Sequence, residues 1–123
     1  MHNDAHALHP TVREEDHRRA RGPWLRLLSQ VLDLAGPQAD FLRHSERPWS
    51  SATFSGARHS IVVAFEGKDS MTQAEAYAAA LPDHEFSIPG QIVADAAIVS
   101  AEHANGPRPR RTIEAEFLLL EDA

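Results

Sequence analysis

Cysteine is absent from this chain, which excludes disulfide bonds, thiolate nucleophiles and sulfur-rich metal sites together. Lysine is nearly absent: Lys68 is the single example, and the remaining eleven of the twelve basic residues are arginine. With the plentiful alanine, this bias reads as the mark of a GC-rich bacterial genome and carries no functional weight. No apolar run approaches the roughly 18 residues of a membrane span. The opening Met1-His2-Asn3-Asp4-Ala5-His6 lacks the apolar centre of a signal peptide. These absences point to a cytoplasmic protein with no membrane partner. Also missing are a phosphate-binding glycine loop, a nucleophile elbow, a paired metal-ligand motif, a helix-turn-helix and an aromatic-basic platform. The sequence accordingly assigns no catalytic residue and no cofactor.

What is present suits one domain. A chain of 123 residues with 42% hydrophobic content can bury about two-thirds of its unfolded surface in one core. Residues 1–12 are polar, carry His2, His6 and His9, and have no apolar period, so they read as a flexible tail before a single domain at 13–123. A structural zinc site needs four fixed ligands, which a mobile tail with His17 beside it does not supply; no metal is expected. The net charge of −6 is uneven. Eight basic residues face eight acidic ones through Glu66, and four face ten from Gly67 onward. An acidic surface disfavours nucleic acid unless Arg47, Arg58, Arg108, Arg110 and Arg111 converge on one side.

Hydrophobic patterning predicts two helices. Pro23 suits a first helical position and Gly36-Pro37 a stop, giving a helix over 23–35 with a wide apolar arc that includes Trp24, Leu27, Val31 and Leu34. Ser70 followed by Gln73 has capping-box spacing and opens an alanine-rich helix ending near Pro82. Its inward row is expected to hold Met71, Ala74, Tyr77, Ala78 and Leu81. The strand-like runs are apolar on both faces: Ile61 to Phe65, Ile92 to Val99 and Phe117 to Leu120 lack in/out alternation. Trp49 to Phe54 and Arg58 to Glu66, joined around Gly56, predict one hairpin. Glu85 to Ala101 and Arg111 to Glu121, joined at His103 to Pro107, predict another.

The expected fold is therefore α+β, in the order helix, hairpin, helix, hairpin, with a mainly antiparallel four-stranded sheet and both helices packed on it. One sheet face would be left bare, with Val62, Ala64, Val93, Ala97 and Val99 forming an apolar patch that a twofold dimer would cover. Trp24, Leu27, Val31, Leu34, Val62 and Val93 are the expected interface. On this basis the chain reads as a small non-catalytic interaction domain, adaptor or regulatory, and homodimeric. The competing reading is a small-molecule-binding or catalytic domain. It rests on the segment His44 to His59, which gathers an imidazole pair, Glu46, hydroxyls, Arg47, Trp49 and Arg58. There His59 would be a base or ligand, Glu46 its orienting carboxylate, and Arg47 or Arg58 an anion clamp. His59 is in phase with Ile61, Val63 and Phe65, so a hydrogen-bonded core histidine is the simpler account, with Arg58 on the opposite face.

Overall fold

The structure, a computed structural model, describes residues 12–122, with side chains from residue 22 onward. The expected tail with His2, His6 and His9 lies outside the described residues, except that Val12 begins a helix. Helix α1 (Val12–Ala35) is followed by strands β1 (Asp40–Ser50) and β2 (Ser55–Glu66). Helix α2 (Ser70–Ala80), a 3-10 turn at Leu81–Asp83, and strands β3 (Gln91–Ala104) and β4 (Arg110–Glu121) complete the chain. The four strands form one antiparallel sheet in the order β1-β2-β4-β3. The fold is thus α+β, and the element order is helix, two strands, helix, two strands.

The core lies between one sheet face and both helices. Ile61, Val63 and Phe65 of β2 and Ile113, Ala115, Phe117 and Leu119 of β4 alternate inward. They meet Leu27 and Val31 of α1, and Ala74, Tyr77 and Leu81 beside and within α2. Phe65 and Tyr77 pack with ring centroids 5.7 Å apart. Gln30 of α1 pins the segment before β3: its Nε2 donates to Ser87 O at 2.6 Å and its Oε1 accepts from Ser87 N at 2.9 Å. That holds Phe86 edge-on to Phe117 and Ile88 in the core.

Several expectations need correction. The helix predicted to begin at Pro23 starts at Val12 and carries Pro23 inside it; a proline forfeits one ladder bond but does not oblige a helix to start there. No capping box forms at Ser70, because Asp69 is the N-cap without a side-chain bond and the Gln73 amide donates instead to Gln38 Oε1. Met71 is exposed.

The first hairpin was expected to turn at 55–57, yet the chain turns at 51–54. Ser51 N–H donates to Phe54 O at 2.7 Å, and Ser51 Oγ accepts from Phe54 N at 3.1 Å, the local bonding that lets serine nucleate a turn. Gly56 instead lies within β2. A Cβ there would sit 1.9 Å from Leu119 O, so its role is close backbone approach.

Two of the three runs that are apolar on both faces prove to mark the central strands. Residues 61–65 and 117–120 are all buried. Among the described residues, the expected bare apolar patch is not found; of its members only Val99 is exposed. On the face away from the helices, Val62 lies across from Arg43 and Glu114, and Ala64 across from Asp40 and Thr112; both are buried. Polar pairs continue this face: Ser60 Oγ donates to Glu114 Oε2 at 2.5 Å, Arg58 and Glu116 approach to 3.9 Å, and Glu66 binds Arg110 and Arg108. Val93 faces the core. The apolar run of β3 lies on an edge strand, bulged between Val93 and Asp95 and between Ile98 and Ser100. Asp95 there is exposed, an arrangement that blunts an edge.

Candidate functional site: a histidine pair under Trp24

On β1, His44 and Glu46 are two residues apart and so share a face. Glu46 lies directly opposite His59 on β2, and His44 opposite Ile61, which places all three on the helix side of the sheet. His44 Nε2 and His59 Nδ1 are 2.9 Å apart, so one ring donates and the other accepts. Glu46 Oε1 lies 4.0 Å from His44 Nε2. Trp24 of α1 stacks on His44, with centroids 4.0 Å apart and planes within 5°, and it also tilts against Phe41 at 6.3 Å. His59 is only 3% exposed and His44 half-buried.

Electrostatics keep the pair neutral. Burial lowers the pKa of both imidazoles from the usual histidine value. Glu46 opposes that shift in each ring, and His44 adds to it in His59. Beside the cluster opens a cleft of about 660 Å³, with Glu46 and His59 on one wall and Gln91, Glu121 and Asp122 on the other. Among the described residues, every charged side chain lining it is acidic.

The other sequence-predicted site residues lie elsewhere. Arg47 pairs with Arg58 and Trp49 with Gly56, so Arg47, Trp49 and Arg58 belong to the opposite sheet face from His59. Arg58 is engaged by Glu116. The pocket expected among Trp49, Arg58 and His59 is therefore divided by the sheet itself, although Arg58, His59 and Glu46 do border a small crevice of about 60 Å³ at the strand backbone. The arginines do not converge either. Arg58 and Arg110 sit eight residues apart along the β2–β4 seam, about 26 Å at strand rise, and Arg111 pairs opposite Phe65 on the helix face. Of the expected interface, Leu27, Val31 and Val62 are wholly inside the chain and have no surface to offer a partner. Trp24, Leu34 and Val93 are half-buried. The Trp24 stack was not foreseen, because no local pattern announces a contact between a helix and a strand twenty residues later.

No protein-family model matches the sequence, and no curated protein matches it. Among solved structures, a chain of the "Virion of native gene transfer agent (GTA) particle" is similar in fold, with a TM-score of 0.54 over 82% of this chain and 93% of that one, at 14% identity. At that identity the likeness is one of architecture. Among the described residues, no helix is long and apolar enough to cross a membrane.

Proposed function

We propose that this chain is a non-catalytic structural or adaptor subunit that acts by docking onto other protein chains, with a second copy of itself as the simplest partner. The observation that carries this reading is the shared architecture with a virion chain, nearly all of which this fold spans; a virion is an assembly held together by contacts between chains. A second observation supports it. Among the described residues, the sheet ends in two edges, β1 and the more bulged β3, and each bears exposed apolar residues: Phe41 and Leu42 on one, Ile92 and Val99 on the other. Open edges offer unpaired backbone groups to another chain. The proposed contacts therefore run along the edges, with Trp24 beside Phe41, rather than across the sheet face.

Light scattering at about 100 µM, where even a contact of roughly 8 kcal/mol is well populated, should return a dimer or larger mass. The double substitution Leu42→Lys with Val99→Lys places charges on exposed edge positions and should yield a folded monomer by circular dichroism. A native chain that stays monomeric at that concentration overturns the self-assembly reading.

A further inference from the structure

We propose that His44, Glu46 and His59 form a binding site for a divalent transition-metal ion, zinc being the cation that two imidazoles and one carboxylate suit. One ligand atom from each lies within 4.8 Å of the other two. The pair lies close to a ligating separation: the two nitrogens are 2.9 Å apart, and tetrahedral zinc at about 2.1 Å from each needs them about 3.4 Å apart, an opening of about half an ångström with both rings turned from each other toward the ion. The carboxylate, 4.0 Å from His44 Nε2, reaches the same point by side-chain rotation. Strand alternation and register set this arrangement, so the backbone need not move.

Two further features favour a cation. Trp24 stacks on His44, and His59 is held by burial, so the two rings are kept side by side before an ion arrives. Among the described residues, the charged side chains that line the adjoining cleft are Glu46, Glu121 and Asp122, and the cleft gives water access to the remaining coordination positions. Both imidazoles must present lone pairs to bind. The proton now shared between His44 Nε2 and His59 Nδ1 must therefore move to the donor ring's other nitrogen; with both rings neutral, this tautomer change releases no proton. The opposing account is a simple hydrogen-bonded pair beneath a tryptophan. This proposal stands independently of the assembly reading.

The test uses the full chain after chelator treatment, titrated with Zn2+ by calorimetry and with Co2+ for its visible absorption. The native chain and a His6→Gln/His9→Gln control should each bind one ion per chain at this site and melt at a higher temperature with Zn2+. His44→Gln and Glu46→Gln should each weaken binding by at least about tenfold and abolish the zinc-dependent thermal shift. Glu46 is exposed, so its variant reports on binding even where His59→Gln unfolds. Absence of binding, or binding that is lost in the tail control and unchanged in His44→Gln and Glu46→Gln, overturns the proposal.

Discussion

At the scale of single residues, the histidine pair has a pH signature of its own. The first proton it takes up can sit on the donor ring and keep the His44–His59 hydrogen bond; a second would set two N–H groups head to head across 2.9 Å. Both folded-state pKa values are lowered, mainly by burial, so the unfolded chain binds protons first as pH falls. Stability from this pair is fully present above the unfolded value of about 6.5. It is lost as pH drops through that value toward the folded ones, at up to about 1.4 kcal/mol per pH unit for each proton in excess. Melting of the chelator-treated chain should fall from pH 7.5 to 5, and His44→Gln, which removes one titrating ring and its partner's hydrogen bond, should flatten the curve while lowering its plateau. A parallel, undiminished slope in that variant would place the acid sensitivity elsewhere.

At the scale of elements, Gly56 shows how one position fixes a strand. Its missing side chain lets β2 approach Leu119 of β4, where a Cβ would meet the carbonyl oxygen at 1.9 Å. Gly56→Ala should therefore cost about 2 kcal/mol or more by forcing the strands apart, read as a lower urea midpoint; a change within about 0.5 kcal/mol would mean that the seam relaxes freely. Glycine was equally compatible with a turn, and sequence alone favoured the turn because Ser55-Gly56 resembles one. The same ambiguity hid β1. Its residues are mostly exposed and include Pro48, so an edge strand that buries little leaves little apolar signal. The central strands were legible where both faces are buried, at residues 61–65 and 117–120, because only apolar residues stand there. As for the site, His44, Glu46 and His59 stood out as a chemically dense segment, and the phase of His59 was readable from Ile61 and Val63. The pairing of His44 with His59 was not, since it depends on β1 existing and on its register with β2.

At the scale of the molecule, each half of the chain contributes one helix, one edge strand and one central strand, and the halves meet where β2 and β4 pair without interruption from Gly56–Leu120 to Glu66–Arg110. Partners along that seam are 64 residues apart in sequence at one end and 44 at the other. Each edge strand, by contrast, pairs with the strand next to it in the chain. The consequence is kinetic. Local pairings form with modest loss of chain freedom, whereas joining the halves requires a long closure before any contact of the core rewards it. Docking of β2 on β4 should thus limit the folding rate. Stopped-flow refolding should show Ile61→Val and Ile113→Val slowing the folding limb, with φ above about 0.5, while Ile98→Val on β3 chiefly accelerates unfolding. Until that seam closes, both halves expose the apolar faces of their central strands, so the time spent before docking sets how long the chain is open to mispairing with another copy.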